Sequence, residues 1–448
     1  MKPADQLSSL SSVLHRITAE EVAMQRWSLP GVAVYWGMVG LLGGVWSLAA
    51  AVWLYQIYYG LQVAGLTHPV MWGTYIATFV FWIGIAHSGT LMSAILFLFR
   101  AHWRATIARL AETMTIAAIM TALLFPIIHL GRPWRAYWLI PYPNERGLWI
   151  NFSSPLIWDA AAIGTYFVVS ILFWFLHLIP DFATLRDHDR PGMRRRVFGW
   201  LALGWSGTAQ EWRSFRSAYA VLAGVIAVLV VSVHSVVSWD FAMAIVPGWH
   251  STIFAPYFVA GAMFSGVAMI MLLLIPGREL LGIQRHVTAD HLDKLAKLML
   301  TFSLIVTYAY ATEFFFSFHD RDPFEHRQLL FRFTGSFAPL FWMTIACNSG
   351  APLVLFSGRA RRNPHVLLGV SLAVTIGMWV ERFVIIAASL AHEYDSAAWG
   401  GYRPTYVEGS IVIGSLAFFL FWFLLIIGHI PAVAIAEQKE EQLREADA

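Results

Sequence analysis

Ten mostly apolar stretches dominate this 448-residue chain, at roughly 32–58, 70–99, 111–129, 155–179, 217–241, 253–275, 295–317, 337–356, 366–391 and 409–434. About 20 apolar residues in a helix cover the hydrocarbon thickness of a bilayer. The pattern therefore predicts an all-α, polytopic membrane protein with ten transmembrane helices. Composition agrees: 58% of residues are hydrophobic, 15% aromatic and 13% charged, against a globular norm of about 25% charged.

Ten spans put both termini on one side. With that side inside, the inner segments hold 22 of the 30 Lys and Arg residues, and the outer segments hold Arg132, Arg135, Arg146, Arg321, Arg327, Arg332 and Arg403. Arg382 falls within a span. This bias predicts cytoplasmic termini. The net charge of +3 thus reflects orientation, and nucleic acid is not implied as a partner. The polar N-terminal segment lacks the short apolar core of a signal peptide, so the first helix is expected to direct its own insertion. One cysteine, Cys347, lies in an apolar span; the chain can hold no internal disulfide and no iron–sulfur cluster on its own thiolates.

Spans two to five and six to nine read as loose copies. The second helix of each set ends in a polar mouth ("FPIIHLGR", "YATEFFFSFHD"), the third opens with "SSPLIWD" or "SFAPLFW", and the fourth carries "HSVVSWD" or "WVERF" outwards. A repeat of four spans keeps its orientation, so the repeat is parallel. The expected organisation is a cytoplasmic segment 1–31, a peripheral helix 32–58, a first four-helix bundle within 59–252, a second within 253–391, a loop and peripheral helix in 392–434, and a cytoplasmic tail 435–448.

Ionisable residues in lipid are costly and point to a task. Alternation of the spans places His129, Asp159, His234 and Asp240 in the outer half of the first bundle, and Glu313, His319, Glu381 and Arg382 in the outer half of the second. His87 lies near mid-membrane and His177 towards the inner end. An imidazole paired with carboxylates can accept and pass a proton. Oxidation of a membrane-soluble quinol needs such a base at each hydroxyl, apolar walls and a proton exit. The outer loop adds Trp134, Tyr137, Trp138, Tyr142 and Trp149. The same residues also read as a helix-end cap, headgroup contacts through Arg132 and Arg135, and an interfacial aromatic belt. In the second bundle, Glu381 and Arg382 point about 100° apart on a helix, which favours pairing of Arg382 with a carboxylate on another helix. No two of the 16 histidines are 13 or 14 residues apart and no CxxCH occurs, so haem is not expected in this chain. A secondary transporter is the rival of another class, with His87 near the midplane as its support.

At "AHSGTLMSAILFLFR", "HLGRPWRAYWLIPYPNERGLWINFSSPLIWD" and "SWDFAMAIVPGWHSTIFAPYFVAGA" the chain resembles the NrfD/PsrC-type family of quinol-interacting membrane subunits. Within that family it looks most like the ActC-type subunits of bacterial alternative complex III. The resemblance implies oxidation of menaquinol or ubiquinol at the periplasmic side. Its site would be His129, Asp159 and Asp240, with His234, Arg132 and Trp158 around it. His87, His177, Glu313, Glu381 and Arg382 could serve a proton path. Electrons would pass to a periplasmic iron–sulfur, molybdopterin-enzyme-like subunit, then to multihaem cytochrome c subunits and a cytochrome c, cupredoxin or terminal oxidase. A second NrfD-like subunit and lipids complete the implied partners. A membrane anchor subunit of a polysulfide- or DMSO-reductase-type complex is the alternative from the same family. Outer loops 130–154 and 318–336 are candidate docking surfaces.

With no electron carrier of its own, the isolated chain should not catalyse quinol oxidation. Quinol-dependent reduction of a cytochrome c analogue by the purified single subunit would overturn this expectation.

Overall fold

The computed structural model describes residues 29–101, 103–139, 152–249, 251–280, 284, 287–320, 322–431, 433–435 and 437. Tyr142, Arg146, Trp149 and Arg321, together with segments 1–28 and 438–448, lie outside the described residues. Among the described residues there are ten helices long and apolar enough to span a membrane, and no strand. They are α1 (Gly31–Tyr59), α2 (Thr74–Leu98), α3 (Arg104–His129), α4 (Pro155–His188), α5 (Ala209–Ala242), α6 (Phe254–Leu280), α7 (Ala289–His319), α8 (Ala338–Phe356), α9 (Pro364–Ala391) and α10 (Tyr406–Ile427). The chain is a multi-pass membrane protein.

Several helices outrun the apolar stretches that announced them. α3 begins at Arg104 and not at 111, α4 runs to His188, and α5 begins at Ala209. Their backbones stay hydrogen-bonded past the apolar stretches through charged residues that are exposed at Asp187 and Arg213 but buried within the protein at Arg104, Arg109 and Asp181, so hydropathy stops before the helix does.

In lipid no hydrophobic force separates one apolar helix from another, and close packing decides which helices are central. α2 and α6 are largely buried, whereas α1 is mostly exposed or half-buried. α2 packs on α3, α5, α6 and α9; α6 packs on α2, α5, α7 and α9; α4 closes against α5 and α3, and α8 against α9 and α7. α10 lies on α1 and α3. Small residues permit the central approach. Gly266 on α6 faces Ser88 on α2 so closely that an added Cβ would overlap that side chain, and Gly89 abuts the Ala111 carbonyl of α3.

Alternating helix directions gather the ends into two faces. Among the described residues, the first face holds the connections 60–73, 130–139, 152–154, 243–249, 251–253, 320, 322–337 and 392–405. It is cross-tied: Thr74 N–H donates to Tyr402 Oη (2.9 Å), Gly65 N–H to Glu408 (2.8 Å), and Trp249 Nε1 to the Ile385 carbonyl (2.7 Å). After α3 the chain turns at Gly131, whose φ of +68° and contact with Leu61 leave no place for a side chain. The opposite face gathers the end of α2 and the start of α3, the α4–α5 connection, the start of α7 and the α8–α9 connection.

Gly266→Ala should therefore lower the apparent melting temperature of the detergent-solubilised protein, with an overpacking cost of about 1–3 kcal/mol. Gly277→Ala, on the same helix with open space around it, should leave it unchanged. Equal behaviour of the two variants would contradict the close α2–α6 approach.

Candidate functional site

Pro155 opens α4 after Ser154, its fixed φ suiting the first helical turn. This sets Trp158 and Asp159 at the first face. α5 runs the other way and delivers Trp239 and Asp240 to the same level. The two Trp-Asp pairs meet: the Trp158 and Trp239 rings are 6.2 Å apart, edge to face, and the Asp159 and Asp240 carboxyl groups adjoin. Trp158 Nε1 donates to the Phe152 carbonyl at 2.7 Å. Each carboxyl keeps a buried Oδ1 with no hydrogen-bond partner among the described residues, and so does His129 Nδ1 at the end of α3. His129 Nδ1 therefore pairs with neither carboxyl. Arg132 is exposed on the turn beyond it. Arg135 lies 4.6 Å over the Trp138 ring, and Trp134, Tyr137 and Trp138 are exposed beside it.

Deeper in the membrane, α2 and α5 bring two histidines together. His87 Nδ1 and His234 Nδ1 are 3.0 Å apart, so one donates and the other accepts. Both Nε2 atoms are buried and unpaired among the described residues. The Tyr166 ring of α4 lies 4.3 Å from the His87 ring. Tyr166 Oη donates to the Ala86 carbonyl at 2.7 Å, which also accepts from Thr115, and Thr90 Oγ1 is 2.7 Å from Tyr166 Oη. Ser170 Oγ, one turn on, is buried without a partner among the described residues.

At the opposite end, Glu112 accepts from Ser93 Oγ (2.6 Å) and Tyr219 Oη (2.9 Å), and its second oxygen lies 2.7 Å from His177 Nδ1. Arg104 Nε donates to the Ser93 carbonyl at 3.1 Å, and its guanidinium also meets Tyr219 and Glu437. Arg109 and Asp181 form a fully buried ion pair at 2.6 Å. Glu437, beyond α10, returns to the mouth of this group, with Oε1 3.1 Å from His177 Nε2. Burial alone would push its carboxyl up; Arg104 and His177 outweigh that and hold it below the usual glutamate range.

Sequence reading found His177 but missed Arg104, Glu112, Arg109, Asp181, Tyr219 and Glu437. Arg104 and Arg109 look like loop cations because they flank an apolar stretch. The available signal was spacing: Arg109 and Glu112 are three apart on α3, and His177 and Asp181 four apart on α4, so each pair shares a helix face.

A second polar group joins α6, α7, α8 and α9. Glu381 accepts from Tyr257 Oη and, at 3.1 Å, from Asn348 Nδ2, which is also 2.9 Å from Tyr310 Oη. Asn348 sits in a π-helical turn at 346–350, and a second π-turn at 384–388 follows Arg382. Such turns recur at functional sites. Arg382 is not paired with a carboxylate of another helix among the described residues. Its Nη1 lies 3.4 Å from the adjacent Glu381, because a long guanidinium reaches back across the 100° between neighbours. Glu313 is taken instead by Arg332 at 2.6 Å. The Arg382 guanidinium lies 4.1 Å over Phe258, whose ring is 6.1 Å from that of His234, so α6 stands between the two polar groups. Among the described residues no three metal-ligating side chains gather.

Comparison with known proteins fits this architecture. Residues 62–392 match the family described as polysulphide reductase, NrfD, a segment that starts after α1 and ends just past α9. The chain is 28% identical over 411 residues to a putative dimethyl sulfoxide reductase membrane subunit of Halobacterium salinarum, covering 85% of this chain and 88% of that protein. It is 23% identical over 402 residues to a selenate reductase subunit of Mesobacillus selenatarsenatis, covering 85% and 90%. The family match spans eight consecutive helices and every residue of the candidate site except Glu437, and the chain belongs to the NrfD family of membrane subunits.

Proposed function

We propose that this chain is the quinol-oxidising membrane subunit of a reductase-type oxidoreductase complex. The relatives named as subunits of dimethyl sulfoxide and selenate reductases support a reductase context over alternative complex III. The observation that carries the quinol site is the set of buried, unpaired atoms at one end of α3, α4 and α5: Asp159 Oδ1, Asp240 Oδ1 and His129 Nδ1. Buried polar atoms are nearly always hydrogen-bonded, and the two hydroxyls of a quinol suit acceptors of this kind beside the apolar walls of Trp158 and Trp239.

In this reading the first face is periplasmic, as the cation bias suggests, and the location is a bacterial inner membrane. α2–α5 and α6–α9 form two four-helix bundles joined through α2 and α6. The quinol loses two electrons and two protons. The electrons pass to an iron–sulfur partner docked on the first face, and the protons leave through the carboxyl groups and His129. Two adjacent buried carboxylates repel when both are charged, so the Asp159–Asp240 pair would take one proton and His129 Nδ1 the other, each passing to water before the next turnover. Arg132 stands exposed on the turn beyond His129, and His234 lies deeper, against His87. His87 and His234, Tyr166, Ser170 and the His177–Glu112 group form a polar line along the first bundle, the best candidate for proton movement across the membrane. Glu381 and Arg382 hold the second bundle together, with Glu313 tied to Arg332. The finer assignment to alternative complex III rests on the motifs of the first face. Co-purifying multihaem cytochromes and a second NrfD-like subunit would favour it, and a molybdopterin reductase subunit would exclude it.

Asp159→Asn, Asp240→Asn and His129→Ala complexes that assemble normally should lose quinol-dependent turnover by about a hundredfold or more, the usual worth of a positioned acid or base. Normal turnover in all three would remove the site from this end of the bundle.

Glu437 closes the opposite mouth of the polar line. Its carboxyl titrates below the ordinary glutamate value of 4.5, so its docking contributes stability above that pH and loses it as pH falls further. A C-terminal epitope should become protease-sensitive in acid, and in Glu437→Gln already at neutral pH. An epitope equally protected in both proteins would show that this contact does not anchor the tail.

A further inference from the structure

On the opposite face, where α7 begins and the α8–α9 connection turns, a cavity of about 680 Å³ is lined by Asp293, Lys297, Ser357, Arg359, Arg361 and Arg362. Asp293 is saturated: Lys297 Nζ lies 2.7 Å from Oδ2 and Arg361 Nε 2.8 Å from Oδ1. Arg361 is also fixed from behind, donating through Nη1 to the Leu355 (2.8 Å) and Phe356 (3.1 Å) carbonyls. Asp290, the other nearby carboxylate, is taken by Lys294 at 2.7 Å. Four cations thus meet one lining carboxylate, and Arg359 and Arg362 remain exposed with no ion pair among the described residues. The residues just before Ser357, at the end of α8, are apolar and outward-facing: Leu353 is 51% exposed, Val354 46% and Phe356 62%.

We propose that this cavity binds the phosphate-bearing headgroup of an anionic phospholipid. The phosphate would lie against Arg359, Arg362 and Lys297, with Ser357 Oγ as a further donor, and the acyl chains would run along Leu353, Val354 and Phe356. Guanidinium groups suit phosphate oxygens through their planar pairs of donors. Basic pockets between helices at the membrane surface are the recognised setting for anionic headgroups. The apolar end of α8 identifies the source as a lipid, because a free phosphate has nothing to place there. The pinned Arg361 and neutralised Asp293 give the pocket a fixed floor, so a headgroup would meet a preorganised site.

The test is native mass spectrometry of the full chain, extracted with its accompanying subunits and exposed in turn to phosphatidylglycerol, phosphatidylethanolamine and inorganic phosphate. The wild-type protein should retain phosphatidylglycerol over phosphatidylethanolamine. Arg359→Gln/Arg362→Gln should weaken that retention about thirtyfold, roughly a factor of five for each charge removed, with unchanged thermal unfolding because the Arg361 contacts remain. Val354→Ser/Phe356→Ser should also weaken it while leaving all four cations in place. Retention unaffected by the arginine pair, equal retention of both lipids, or displacement of the lipid by millimolar inorganic phosphate would each overturn the proposal.

Discussion

A bilayer interior offers no water to satisfy a polar group, and this constraint organises the whole molecule. Every amide, hydroxyl and charge within the ten spans must find its partner inside the protein. The polar side chains consequently turn towards α2 and α6, the two helices with the least contact with lipid, and the outer helices present Val, Leu, Trp and Phe outwards. Arg109–Asp181 and Glu381–Arg382 are buried pairs of this kind. Removing one partner from such a pair leaves a bare charge and costs about 3–5 kcal/mol, so Arg109–Asp181, which joins α3 to α4, holds those helices in one arrangement.

Against that background the unpaired atoms stand out. Most buried polar groups here are satisfied, several of them twice, as with the Ala86 carbonyl and Glu112. Asp159, Asp240, His129, His87, His234 and Ser170, on α2, α3, α4 and α5, each keep such an atom, and others lie elsewhere, at Trp53, Arg278, Gln328, Arg332, Asn348 and Trp422. What sets the α3–α5 group apart is that the unpaired atoms of Asp159, Asp240 and His129 all lie at one end of these helices, whereas Glu313 and Glu381 are taken by Arg332, Tyr257 and Asn348. Phe258 and Gly261 of α6 both lie against Arg382.

The ten helices were legible because apolar length is a local property, and the NrfD likeness was legible because its motifs are contiguous. Asp159 and Asp240 could be named because each is an ionisable residue at the end of an apolar span, and alternation of the spans puts both at one depth. Arg104 and Glu437 could not be matched, because 333 residues separate them and each looks like an ordinary surface charge in its own segment. The helix ends were misjudged for a related reason: hydropathy reports the hydrocarbon, and the hydrogen-bonded backbone continues beyond it.

By itself, then, the sequence determined the solvent of this protein, the number of its crossings and the residues worth watching, since each depends on side-chain chemistry within one segment. Only the tertiary structure decided which of those residues meet. It joined His87 to His234 across α2 and α5, gave Arg382 its neighbour Glu381, and enclosed His177 between Glu112 and Glu437. The physical reason is rotational: a span can turn about its axis without changing its hydropathy, and packing against the other helices chooses the angle.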